Sequence, residues 1–173
     1  ERLKYLRVRG KIEMQIEFPD TKLYLNDDKF RKKFEGDILL DELSKIIYAT
    51  DASVYREKPL AVVLPKTKED IKLIVKFASE NNISIIPRAA GTSLAGQVVG
   101  NGVVVDISKY MNSILEINSE EKWVKVQPGV VLDELNIYLK KYGLFFGPET
   151  ASGSRCMLGG MFGNNSCGSH SIL

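Results

Sequence analysis

The stretch PRAAGTSLAGQVVG, residues 87–100, could do chemistry with its backbone rather than its side chains. It follows the apolar run ISII and leads toward a second run, VVVDIS. Alanines, small hydroxyl residues and Gly91, Gly96 and Gly100 let consecutive N–H groups converge without Cβ obstruction, and such a nest binds phosphate oxygens. Two familiar phosphate loops are excluded. Gly91 and Gly96 have Walker A spacing, but Gln97 and Val98 stand where Lys and Ser/Thr are required. A dinucleotide G-x-G-x-x-G loop opens a helix, whereas this loop opens a strand. Taken alone, a tight structural turn explains the segment as well as an anion site does. A second small-residue cluster, GPETASGSRCMLGGMFGNNSCGSH at residues 147–170, shifts that balance. One extended ligand lying between the two bare surfaces explains both.

The remaining reactive side chains define no further site. Cys156 and Cys167 match no zinc spacing, and His170 is the sole histidine, so no metal centre is expected. A net charge of +2 without a basic stripe argues against nucleic acid and anionic membrane as partners. The lysines of KFRKK at 29–33 have acidic neighbours and read as a solvated helix face. No apolar run is long enough to span a membrane, and the start ERLKYLRVRG lacks the apolar core of a signal peptide. Reduced cysteines and a cytoplasmic location follow as the expectation. The missing initiator Met, and an end close behind a glycine-rich motif, suggest a piece of a longer protein.

The elements that must hold these loops divide the chain. Charges crowd residues 1–86, whereas 12 of the 14 glycines lie at position 91 or later. Leu3 and Leu6, Phe30 and Phe34, then Leu39, Leu40, Leu43, Ile46 and Ile47 recur at helical spacing and predict a helical appendage over residues 1–48. From Leu60 the pattern is α/β. LAVVL is a strand stopped by Pro65, and Thr67 with Asp70 forms a capping-box-like helix start. Ile71, Ile74, Val75 and Ala78 give that helix its apolar face, and Asn81-Asn82 ends it. Strand, helix and the ISII strand read as a βαβ unit, hence a parallel pair. VVVDI adds a strand, SILEIN and WVKVQ flank a polar turn as a hairpin, and Val131 to Tyr142 forms an amphipathic helix closed by Gly143. A short helix is expected near Met157 to Phe162.

Five ordered motifs now carry a resemblance: PR-x-x-GTS-x-x-GQ (Pro87 to Gln97), VQPGV-x-L (Val126 to Leu132), FGPE (Phe146 to Glu149), LGGM (Leu158 to Met161) and NNSCGSHS (Asn164 to Ser171). They resemble the FAD-linked oxidases, more narrowly the vanillyl-alcohol oxidase/p-cresol methylhydroxylase type of FAD-binding domain. ATDASVY (Ala49 to Tyr55) is similar to a subgroup of large bacterial D-lactate and D-2-hydroxyacid dehydrogenases, which often fuse the flavin half to an iron–sulfur half. The resemblance covers about residues 45–173. It implies an α+β fold: a truncated, two-subdomain FAD-binding domain over residues 49–173, with 109–173 beginning the second subdomain.

Carried over to matching positions, the backbone of Arg88, Ala89, Ala90, Gly91, Thr92 and Ser93 would serve the FAD pyrophosphate, with Gln97 bracing the loop. Pro148, Cys156, Met157, Gly159, Gly160, Asn164 and Gly168 would line a second wall along the ribityl chain and flavin ring. Two departures matter. The family usually has glycines where Ala89 and Ala90 stand, so a donor is displaced if that backbone needs positive φ. Covalently flavinylated relatives carry a histidine at the position of Thr92, so the FAD here is expected to be non-covalent.

The resemblance implies oxidation of a D-2-hydroxy acid by hydride transfer to flavin, with electrons leaving to a quinone or to iron–sulfur centres outside this chain. No acid–base catalytic residue is assigned, because substrate-handling histidines and arginines in such enzymes usually belong to a later cap domain. His170 then reads as a packing or hydrogen-bonding residue near the flavin, and the cysteines as small wall residues. The competing readings are an alcohol or sugar oxidase on the same scaffold, and a non-redox module that binds a phosphorylated ligand.

Overall fold

A computed structural model describes residues 3–8, 11–16, 25 and 28–168. The N-terminal elements are strands: β1 (Leu3–Val8) and β2 (Lys11–Ile16) pair antiparallel, with Leu3 opposite Ile16 and Val8 opposite Lys11. This corrects the helical expectation for that stretch. Leu3 and Leu6 fit a helical spacing, but Ile12, Met14 and Ile16 alternate with Lys11, Glu13 and Gln15, the period of two that a strand requires. Helix α1 covers only Asp28–Arg31, and Leu39, expected in a helix, ends strand β3 (Asp37–Leu39). Helix α2 (Glu42–Ile47) does form, capped by Asp41, whose carboxylate accepts from the Ser44 amide at 2.9 Å. Its Leu43, Ile46 and Ile47 remain exposed.

The central sheet runs β3-β4-β6-β5, built from β4 (Ala61–Leu64), β5 (Ile85–Arg88) and β6 (Val103–Asp106), with β3 antiparallel to β4 and the rest parallel. The two strands flanking helix α3 (Lys68–Glu80) are therefore not hydrogen-bonded neighbours, because β6 inserts between them. Composition accounts for the order. Every residue of β6 is buried, whereas β5 contains Pro87, which has no N–H and is tolerated at an edge. Alternation sorts the two faces: Ala61, Val63, Val103 and Val105 meet Ile74, Phe77 and Ala78 of α3 together with Phe30, Phe34 and Leu25. Val62, Leu64 and Val104 point the other way, toward Leu39, Tyr48, Ile86 and Tyr110.

Helix α3 starts on a full capping box. Thr67 Oγ1 accepts from the Asp70 amide at 3.1 Å while Asp70 Oδ2 accepts from the Thr67 amide at 3.2 Å. A second core follows in sequence. The hairpin of β7 (Ile114–Asn118) and β8 (Trp123–Val126) supplies Ile114, Ile117, Val124 and Val126, which pack on Val130, Leu135 and Leu139 at helix α4 (Leu132–Lys140). Helix α5 (Leu158–Gly163) closes the described chain.

Candidate functional site: a bare loop facing a glycine helix

The loop over residues 88–97 leaves the C-terminal end of β5, the edge of a parallel sheet at which open α/β folds bind ligands. Gly91 and Gly96 hold φ of 68° and 70°, a left-handed backbone that side-chain-bearing residues rarely adopt. Ala89 and Ala90 are not among the positive-φ residues, so alanine in place of the family's glycines displaces no donor by that route. Ser93 organises the middle of the loop: its Oγ donates to Gln97 Oε1 at 2.8 Å and accepts from the Ala95 amide at 3.2 Å. Gln97 is thus hydrogen-bonded to the middle of the loop. Among the described residues, nothing accepts from the amides of Ala90, Gly91, Thr92 or Ser93. Four consecutive free donors are the chemistry of an anion nest.

The second cluster comes to the same place through α5. The Gly159 amide donates to Pro128 O at 2.7 Å and the Leu158 amide to Val130 O at 2.9 Å, pinning the start of α5 on the Pro128-Gly129 turn. Gly129 is itself packed on the carbonyls of Ile107 and Met111, directly after β6. A Cβ on Gly159 would lie 2.6 Å from Pro128 Cβ, so glycine is required for the docking. One residue on, a Cβ on Gly160 would lie 3.1 Å from Ala89 Cβ. The 88–97 loop and the glycine helix are therefore in contact.

Other expected wall residues are placed differently. Cys156 is turned into the core with Leu132 and Met161, its Sγ 3.1 Å from Thr150 Oγ1 and both backbone groups bonded within the chain. Its small side chain serves packing there. Met157 precedes α5 and pairs with Val131, Pro148 is half-buried in the connection from α4, and Asn164 is exposed at the far end of α5. Gly168 presses on Glu149, where a Cβ would overlap the carbonyl. His170 lies outside the described residues. A cavity of about 520 Å³ between α4 and residues 145–154, lined by Asn136, Phe146 and Glu149 among others, includes no residue of the 88–97 loop.

The residues missed from sequence are Tyr48 and Asp106, which reach the loop through Arg88. Tyr48 Oη donates to the buried Asp106 Oδ2 at 2.6 Å, and burial first, then Asp106, pushes its phenol above the ordinary tyrosine range. Arg88 Nη1 donates to Thr50 O at 2.8 Å, and the Ala52 amide donates to Gly91 O at 3.1 Å. ATDASVY was the available signal, but the partners are 38 or more positions away and no spacing rule connects them. No group of three metal-ligating side chains occurs among the described residues, and no described helix is long and apolar enough to cross a membrane.

Free amides, left-handed glycines and a contact between the two clusters made by Gly160 and the Ala89 methyl fit a dinucleotide cofactor. Residues 59–173 match the model of the FAD binding domain family, and the chain belongs to that family. It is 44% identical over 149 residues to D-2-hydroxyglutarate dehydrogenase of Haemophilus influenzae, covering 84% of this chain and 14% of that one. Against the Escherichia coli D-2-hydroxyglutarate dehydrogenase the identity is 41%, over 81% and 14% of the two chains. A mitochondrial D-lactate dehydrogenase [cytochrome] of Kluyveromyces lactis is 35% identical, over 76% and 23%. The chain thus spans about a seventh of the dehydrogenases it matches first. Among solved structures, an alkyldihydroxyacetonephosphate synthase superposes with TM-score 0.73 at 22% identity, over 90% of this chain and 31% of its own. Substrate-bound p-cresol methylhydroxylase gives 0.62 at 22%, over 79% and 26%. The fold is the α+β FAD-binding fold of the p-cresol methylhydroxylase type, and FAD is the cofactor.

Proposed function

We propose that this chain is the FAD-binding part of a flavin-dependent dehydrogenase that oxidises a D-2-hydroxy acid of the lactate, glycolate or 2-hydroxyglutarate type. The observation that carries the reading is the row of free amides at Ala90 to Ser93 in contact with Gly160, on a chain 44% identical to a D-2-hydroxyglutarate dehydrogenase. When bound, FAD supplies a hydride acceptor at flavin N5 for the substrate α-carbon. The chain's own residues bind and orient it. The amides of residues 90–93 would hold the pyrophosphate, Gln97 would keep Ser93 in place, and Gly159 and Gly160 would let backbone come close on the second side. We take residues 49–173 as the cofactor-binding unit, with 109–173 beginning a second subdomain, a division supported by the separate core around α4. The free thiols of Cys156 and Cys167 favour a cytoplasmic setting.

FAD titration with flavin fluorescence as the readout tests the cofactor site. Quenching that saturates supports it, and no uptake overturns it. Thr92 offers no imidazole for attachment, so acid precipitation should leave the colour in the supernatant; flavin mass on the denatured chain would contradict this. Comparison of D-2-hydroxyglutarate, D-lactate and glycolate as reductants of the full-length enzyme's flavin tests the substrate class, and bleaching by none of them sinks it.

A further inference from the structure

Arg88 departs from β5 with its side chain folded back under the loop it begins. Its Nη2 lies 2.6 Å from the position a Gly91 Cβ would take, so the guanidinium rests directly on the Gly91 backbone. Two contacts hold it there. Nη1 donates to Thr50 O at 2.8 Å, and the guanidinium carbon is 5.2 Å from the centre of the Tyr48 ring. Tyr48 is fixed in turn by its 2.6 Å bond to Asp106, the residue paired with Arg88 across β5 and β6. Asp106 Oδ1 accepts from the Ser108 amide at 2.8 Å, so the anchor is itself oriented. The Ala52 amide on Gly91 O closes the grip of residues 48–52 on the loop.

The charge of this group is only partly balanced within the described protein, by the nearby Asp51 carboxylate. A guanidinium carries five N–H donors. Arg88 forms no ion pair with a described carboxylate; the nearby Asp51 feels its charge but accepts no hydrogen bond from it. A half-buried guanidinium with no hydrogen-bonded anion keeps donors for one that arrives. The amides of residues 90–93 belong to the same turn, and among the described residues they too lack an acceptor.

We infer that the Arg88 guanidinium is a cationic strut behind the 88–97 loop, positioning Gly91 and its neighbours while supplying the charge that a bound diphosphate neutralises. This rests on the reading of the loop as the FAD pyrophosphate site, but adds a role for a side chain that the backbone-donor reading does not use. Tyr48 is a positioning residue in this arrangement, acting through Arg88.

The test titrates FAD into the protein and into Arg88→Met, Arg88→Lys and Tyr48→Phe over a range of salt concentrations, with thermal unfolding of each recorded without FAD. Arg88→Met should raise Kd about tenfold or more and flatten its dependence on salt, because a complementary charge is gone. Arg88→Lys keeps the charge and should restore the salt dependence while recovering only part of the affinity. Tyr48→Phe should weaken FAD by a smaller factor with the salt dependence unchanged. Arg88→Met with wild-type Kd, or with raised Kd and unaltered salt dependence, overturns the inference. Should Arg88→Met fail to fold, Arg88→Lys decides: loss of the salt dependence despite a retained cation overturns it as well. Wild-type protein that takes up no FAD overturns the proposed function itself, whereas uptake indifferent to Arg88 overturns the strut alone.

Discussion

Gly91 and Gly143 make a matched pair at the residue scale, because both hold φ of 68° but only Gly91 is crowded. A Cβ at Gly143 meets nothing within 4 Å, whereas one at Gly91 meets the Arg88 guanidinium. Gly143→Ala should therefore cost only the backbone strain, about 1 kcal/mol, and leave FAD affinity unchanged. Gly91→Val adds displacement of Arg88 to a strain on the order of 1–3 kcal/mol, so FAD should bind more weakly than the thermal midpoint alone would suggest. Equal FAD affinities in the two variants would remove the loop from the site. Asp51, in the grip on that loop, gives a second prediction. Burial pushes its carboxyl up, but the Ser53 hydroxyl and amide, the Val98 amide and the Arg88 charge outweigh burial and hold it below the ordinary range. A carboxyl lowered in the folded state stabilises above its unfolded value, about 3.9, and loses that contribution as pH falls through the lower folded value. The thermal midpoint should stay level near neutral pH and drop below about pH 4, and Asp51→Asn should shrink that drop. An acid limb of undiminished size in Asp51→Asn would place its origin elsewhere.

Asp70 shows how an element is held at a junction. It is 1% exposed and accepts from three amides: Glu35 at 2.9 Å, Lys66 at 2.8 Å and Thr67 at 3.2 Å. One carboxylate thus starts α3 and ties it to the chain before β3. Asp70→Ala strands those donors and should cost about 3 kcal/mol, more than Thr67→Ala at about 1 kcal/mol; chemical denaturation ranks the two, and equal losses would reduce Asp70 to a plain cap. This junction was half legible in the sequence. Thr67 and Asp70 announce the cap because capping is local, and the face of Ile74 and Ala78 follows from the helical period. The bond from Glu35 is 35 positions away, and nothing in a linear pattern reports it. The same limit explains β6 lying between β4 and β5, since strand order is a non-local choice that Pro87 only hints at. It also hid Tyr48 and Asp106 under the loop. The positive φ of Gly91 and Gly96 was readable because the backbone demand is intrinsic, whereas the packing of the Cys156 side chain was not, because small size does not tell which way a residue faces. The β1-β2 hairpin was misread for a different reason: two leucines three apart fit a helix as well as a strand, and the alternation of Ile12, Met14 and Ile16 carried the stronger signal.

At the scale of the whole molecule, the described residues assemble a cofactor cradle and little else. The sheet delivers the 88–97 loop, the core around α4 carries the Pro128-Gly129 turn, and α5 brings Gly160 onto Ala89. Hydride transfer from a hydroxy acid needs more: an α-carbon held near the flavin, a base for the hydroxyl proton and cations for the carboxylate. Arg88 is committed under the loop, Arg155 is exposed in the turn before α5, and Lys109 is paired with Asp37 at 2.6 Å beside the first core. His170 is the only histidine. The chain spans 14% of the Haemophilus influenzae and Escherichia coli D-2-hydroxyglutarate dehydrogenases, so most of their length lies outside the matched part. We therefore expect the 173-residue chain to show no hydroxy-acid dehydrogenase activity even when supplied with FAD. Misplacing one reacting group can lower a rate about a hundredfold, and here neither a base nor a carboxylate clamp is assigned among the described residues. The measurement is anaerobic: FAD-supplied chain is mixed with D-lactate or D-2-hydroxyglutarate and the flavin absorbance is followed. Persistent colour is the expected result. Bleaching at roughly 1 per second or faster, a rate typical of enzymes, would mean that these residues contain the catalytic set, and His170→Ala would then show whether its imidazole is the base.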